Sequence, residues 1–284
     1  MQKNNASFLE RLQKDVILVA EGYIFELERR GYIKAGPFVP EVVLEHPNAV
    51  KELHEEFLRA GSDVILACTY YAHRSKLKSI GKDDKLEELN LKSLEIAKEV
   101  AQRGGALVAG NLSNTWEYDQ NSPSESGKIV RSIFNEQVNW ANSAKVDYVV
   151  AETFSHLGEA LIALEVIKEA GFPAVITFTT VHEKSCDGYS WAEACTILEE
   201  NGADVVGLNC GRGPVTMLPI LQKIRNKVKG NVAALPVPYR TTANQPCFFD
   251  LRHEDSKNAF PVALDPFLLT RFEMADFAIK ARDL

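Results

Sequence analysis

The chain has 284 residues, 45% of them hydrophobic and 25% charged, which excludes a disordered segment and fits a globular protein. A formal net charge of −7 argues against general attraction to nucleic acid or to an anionic membrane, while a small zwitterionic or anionic ligand stays compatible. No window approaches the roughly 20 apolar residues that span a bilayer, and the opening MQKNNASFLERLQKD lacks a signal-peptide core, so the cytoplasm is the expected compartment. Five scattered cysteines, Cys68, Cys186, Cys195, Cys210 and Cys247, suit a reducing compartment better than a disulfide framework.

In chain order, seven apolar runs read as buried strands: VILVA (16–20), DVILACT (63–69), ALVAGNL (106–112), DYVVAETF (147–154), AVITFTT (174–180), ADVVGLNC (203–210) and NVAALPVP (231–238). Helical patterns separate them, among them KLEELNLKSLEIAKEVAQ (85–102) and TMLPILQKIRNKVK (216–229). Gly61, Gly171 and Gly202 each stand between a helical pattern and the next strand, where a left-handed cap reverses the chain. Such alternation implies parallel strands with crossover helices.

Two α/β folds compete, an open doubly wound sheet and a closed (β/α)8 TIM barrel. No G-x-G-x-x-G follows the first strand, and unit spacing and length favour the barrel as a single domain over 1–284. The count stops at seven, with DPFLLTRFEMADFAIKARDL (265–284) reading as one more helix. An open barrel leaves unpaired apolar edges, so an eighth strand and a last helix are expected beyond Leu284.

Barrel enzymes carry their chemistry at the C-terminal ends of the strands. Those ends bring Glu21 and Gly22, Thr69 to Tyr71, Asn111 and Ser113, Glu152 and Thr153, Thr179 and Thr180, Asn209 and Cys210, and Tyr239 and Arg240. Carboxylates at the end of a buried strand, Glu21 and Glu152, need a partner. Cys210 has three readings: an inert buried thiol, a nucleophile with a lowered pKa, or a metal ligand that needs other soft donors. A serine-type mechanism lacks a strand-end histidine as base.

The stretch RRGYIKAGPFVPEVVLEHPNAVKELHEEFLRAGSDVILACTYYAHRSKL (29–77), with AETFSHLGEA (151–160), GADVVGLNC (202–210) and FPVALDPFLLTRFEMADFA (260–278), resembles the homocysteine S-methyltransferase family, most closely its betaine–homocysteine branch. The resemblance covers nearly the whole chain. It implies a (β/α)8 barrel and zinc held by three cysteines. Cys210 matches the first of these, and the other two are expected beyond Leu284.

The implied reaction moves a methyl group from a small onium donor, betaine or a sulfonium such as dimethylsulfoniopropionate or S-methylmethionine, to the thiol of L-homocysteine, giving methionine. Glu152 matches the family glutamate that holds the homocysteine amine, with Asn209 beside the cysteine ligand. Glu21 and Gly22 stand near the place of the family's first-strand aspartate, which falls on Ala20. Tyr71 matches a ring of the donor cage, Phe38 stands where betaine users carry tryptophan, and Thr153 where they carry tyrosine. The expected partners are homocysteine and the donor, and a homo-oligomer is suggested. The competing function is a zinc-free, inactive ligand-binding or regulatory barrel of the same family. A lyase or aldolase is disfavoured, since no strand ends in lysine.

Overall fold

In the computed structural model, residues 7–33 and 41–284 are described. Strands β1 (Val19–Ala20), β2 (Val64–Leu66), β3 (Leu107–Ser113), β4 (Tyr148–Phe154), β5 (Ala174–Thr179), β6 (Val205–Asn209) and β7 (Asn231–Leu235) are hydrogen-bonded in chain order. This is the α/β alternation expected from the sequence, with a seven-stranded sheet among the described residues. The helices that punctuate it are α1 (Phe8–Leu12), α2 (Tyr23–Arg29), α3 (Val42–Glu45), α4 (Pro47–Arg59), α5 (Arg74–Ser79), α6 (Leu86–Gly104), α7 (Pro123–Ala144), α8 (Leu157–Glu169), α9 (Trp191–Glu200), α10 (Pro214–Arg225) and α11 (Arg271–Arg282).

The chain divides into two compact units, Met1–Ala151 with Ile162–Ala174, and Glu152–Leu161 with Val175–Leu284. In the first, β1 pairs parallel with β2 in the register Val19 to Val64, and β2 with β3 in the register Val64 to Leu107. Helix α6 shows why the crossovers form. Leu86, Leu89, Ser93, Ala97 and Val100 recur at three- and four-residue spacing and are all buried, and the helix stops at Gly105 with φ 70°. Phe8 of α1 stacks on Tyr148 of β4 with ring centroids 3.8 Å apart.

Strand β1 is shorter than its apolar run. Besides its two-residue pairing with β2, its backbone is tied by side chains: Asp63 accepts from the Leu18 amide and Ser62 from the Ala20 amide, at 2.9 and 3.0 Å. Val16 and Leu18 are left exposed.

His54 of α4 is fully buried in this unit, edge-on to Tyr23 at 4.9 Å, and neither ring nitrogen has a hydrogen-bond partner among the described residues. Burial lowers its pKa to about 3, and burial together with Lys76 lowers that of His73 to about 4. A folded-state pKa below the unfolded value makes the contribution to stability complete above about pH 6.5 and lost as the pH falls. Unfolding in urea is expected to show about 2 kcal/mol less stability per histidine at pH 5 than at pH 7. His54→Leu removes about half of that loss; an unchanged pH dependence in this variant contradicts the assignment.

In the second unit, β5 pairs with β6 in the register Val175 to Val205, and β6 with β7 in the register Val205 to Asn231, both parallel. Gly207 of β6 faces Ala233 of β7 so closely that a Cβ would meet the Ala233 carbonyl oxygen at 2.1 Å, which is why this buried strand carries glycine. Strand β7 ends at Leu235, earlier than expected, because Pro236 and Pro238 have no N–H for a ladder. The helix expected over 265–284 starts only at Arg271. A 3-10 turn over Asp265–Phe267 precedes it, and Thr270 caps α11 reciprocally with Glu273. Gly61, Gly171 and Gly202 have φ of 103°, 83° and 95°, the left-handed caps read from the sequence.

Candidate functional site

Strand ends place the candidate residues, and in the second unit Asn209 organises them. It is the last residue of β6 and is buried. Its side-chain oxygen accepts from the Thr153 amide at 2.9 Å and from the Thr177 hydroxyl at 2.8 Å. Its amide nitrogen donates to the Glu152 carboxylate at 3.1 Å and to the Thr153 hydroxyl at 2.7 Å. Both donors and both acceptor positions of the amide are thus used. Only an amide offers this combination: aspartate has no donor for Glu152, and leucine has nothing for any of the four.

Glu152 is buried, 8% exposed, and so lies where a carboxylate is stable only with donors around it. Thr153 follows it with φ 67° inside β4, a conformation that a β-branched residue rarely adopts. Cys210 has φ 57°, and its amide donates to Leu235 of β7 at 2.9 Å. The turn beyond it is tied down by Arg212. The Arg212 guanidinium donates to the Thr180 carbonyl at 3.0 Å and to Glu183 at 2.6 Å, and the Arg212 amide donates to the Cys210 carbonyl at 2.8 Å. Residues held in strained backbone cluster where the surrounding contacts over-determine them, which is a mark of functional sites.

In the first unit, Glu21 is half-buried and its charge bears on the hydroxyls of Tyr23 and Tyr148, whose pKa values rise, through burial first. Gly22 caps α2 with φ 84° and is exposed. Tyr71 follows β2 with φ 62°, its amide donating to the Ser113 hydroxyl at 3.2 Å. Its ring packs against Tyr70, centroids 4.3 Å apart, and the Lys76 ammonium sits 4.4 Å from its centroid. Phe38 lies outside the described residues.

Among the described residues no group of three or more histidine, cysteine, aspartate or glutamate side chains could hold a metal. Cys68, Cys195 and Cys247 are buried with thiols pushed to higher pKa by burial, Cys68 to about 12, and the exposed Cys186 is raised too. One strand-end thiol does not make the closed, thiolate-rich site of zinc, so the residues described do not by themselves fit that metal.

Sequence reasoning missed Thr177 and Lys76. The signal for Thr177 was a hydroxyl inside the otherwise apolar AVITF, which needs a buried partner. Lys76 carried no such signal.

The model of the family "Homocysteine S-methyltransferase" matches residues 20–258. The chain belongs to this family. A betaine–homocysteine S-methyltransferase 1 from Xenopus laevis is 38% identical over 97% of this chain and 69% of its own length. The enzyme of the same name from Rattus norvegicus is 35% identical over 100% of the chain and 70% of its own length. The solved homocysteine methyltransferase MmuM from Escherichia coli, in a metallated form, superposes with a TM-score of 0.69 at 22% identity, covering 80% of this chain and 85% of that one. That likeness shows the fold.

Proposed function

We propose that the chain is a homocysteine S-methyltransferase that takes its methyl group from a small onium donor and gives methionine. The observation that carries this reading is the clamp of Asn209 on Glu152, in a chain whose family and named relatives act on homocysteine. Glu152 holds the amino group of L-homocysteine. Asn209 serves as a positioning residue, because its four hydrogen-bonding positions are taken by the protein. Glu21 and Gly22 contribute to the amino-acid side of the site, and the Tyr71 ring receives the onium head by cation–π attraction, about 0.5–2 kcal/mol. Phe38 is the second ring proposed for the donor. Thr153 spends its hydroxyl on Asn209 rather than adding a ring, which suits a small donor.

Cys210 keeps the role of one thiolate ligand to zinc, and tight binding needs two further thiolates beyond those that the described residues place. The protein is proposed to work in the cytoplasm, and no helix among the described residues is long and apolar enough to cross a membrane.

The test is an assay of methionine formation from L-homocysteine with betaine, dimethylsulfoniopropionate and S-methylmethionine side by side. Turnover with at least one of the three is expected. Tight homocysteine binding with no turnover on any donor favours a ligand-binding barrel instead.

A further inference from the structure

Lys76 lies three residues past His73, the N-terminal cap of α5, and its amide donates to His73 Nδ1 at 3.4 Å. This start to the helix sends its side chain back over Tyr71, with the ammonium 4.4 Å from the ring centroid. Three nearby cations have carboxylate partners, Arg74 with Glu136 at 2.6 Å, Lys82 with Glu41, and Lys85 with Glu88 at 2.9 Å, while Lys78 on the same helix is exposed to water. Among the described residues, Lys76 has none. His73, its ring edge-on to Tyr71 at 6.2 Å, is kept neutral at physiological pH by burial and adds no second positive charge. Tyr70 lies tilted against the same ring at 49°, so the Tyr71 ring meets both neighbouring aromatic rings and the Lys76 ammonium.

An onium head placed on Tyr71 meets that ammonium. Two cations on one ring repel, so the lysine must leave, and it leaves with an unmet charge. A donor that carries a carboxylate a few bonds from its onium centre supplies the missing partner. A donor without one displaces Lys76 and gives nothing back.

Resting on the assignment of Tyr71 to the onium head, we propose that Lys76 selects zwitterionic donors: it yields the Tyr71 ring to the onium centre and pairs with the donor's carboxylate. Lys76 is a specificity-determining residue for the donor and takes no part in holding homocysteine.

The probe pair is betaine and choline, which share a trimethylammonium head and differ in carboxylate against hydroxyl. Binding of each to the intact protein is measured by calorimetry for wild type, Lys76→Met, Lys76→Arg and Tyr71→Leu. Wild type is expected to prefer betaine, and Lys76→Met to shrink the betaine-to-choline affinity ratio by about fivefold, with betaine weakened and choline strengthened. Lys76→Arg keeps the preference. An unchanged ratio in Lys76→Met, with betaine still bound through Tyr71, overturns the selection by Lys76 alone. If neither compound binds wild type, or Tyr71→Leu binds both as before, the onium reading of Tyr71 itself fails, and the role of Lys76 falls with it.

Discussion

Glu152→Gln is expected to raise the KM for homocysteine by about 10- to 100-fold while changing the KM for the methyl donor little. A hydrogen bond to a charged partner contributes about 1.5–3 kcal/mol, and each 1.4 kcal/mol is a factor of about ten. Glutamine keeps the length and shape of the side chain, and its carbonyl still accepts from Asn209, so the clamp persists. Only the negative charge opposite the substrate ammonium is removed. If Glu152 were a structural carboxylate, the substitution would alter the unfolding midpoint and leave the KM for homocysteine in place. Steady-state kinetics with each substrate varied, beside urea unfolding, separates the two outcomes.

Asn209→Leu is expected to cost about 3–5 kcal/mol of stability, the largest loss of any single change considered. The Thr177 hydroxyl, the Thr153 amide and the Glu152 carboxylate all lose a partner inside a buried region, and each unsatisfied group costs about 1–3 kcal/mol. Asn209→Asp is the informative companion. It sets a second carboxylate about where the amide nitrogen meets Glu152, and like charges raise the pKa of one of them. A raised Glu152 pKa means a smaller ionised fraction at a given pH, so homocysteine binding is lost as the pH falls through the raised value. Below the pH at which the substrate amine itself loses its proton, the KM for homocysteine should therefore fall with rising pH more steeply in Asn209→Asp than in wild type. A residue that merely fills space gives no such profile.

Much of this arrangement could be read from the chain before any coordinates. The strand–helix alternation, the glycine caps at Gly61, Gly171 and Gly202, and the crossover helices follow from apolar period and backbone freedom, which are local properties. The ends of elements followed less well. β1 shrinks because Ser62 and Asp63 hold its backbone from another segment, and α11 starts late because Thr270 and Glu273 close a cap. The strand-end rule brought Glu152, Asn209 and Cys210 forward as candidates, since two of them are polar groups beside buried strands. Nothing in the chain showed that Asn209 spends its amide on Glu152, Thr153 and Thr177, because that depends on how three strands align in register. Lys76 on Tyr71 was equally hidden: a lysine five residues after a tyrosine is ordinary until a turn and a helix start fold one onto the other.

Unusual backbone recurs at strand ends in each unit. Tyr71, Thr153 and Cys210 all have positive φ, at 62°, 67° and 57°, and each directly follows or ends a stretch held by a side-chain hydrogen bond or strand pairing. Such conformations cost of order 1–3 kcal/mol apiece and persist where the surroundings impose them. Ser113, Asn209 and the β7 carbonyl of Leu235 are those surroundings here.

Recognition of the acceptor's amino group by Glu152 is tested most directly by calorimetric titration of the protein with L-homocysteine and with 4-sulfanylbutanoic acid, the same molecule without the amine. The prediction is that wild type binds the amine-free compound about 30-fold more weakly and that Glu152→Gln binds the two alike. Equal affinity of wild type for both compounds contradicts it.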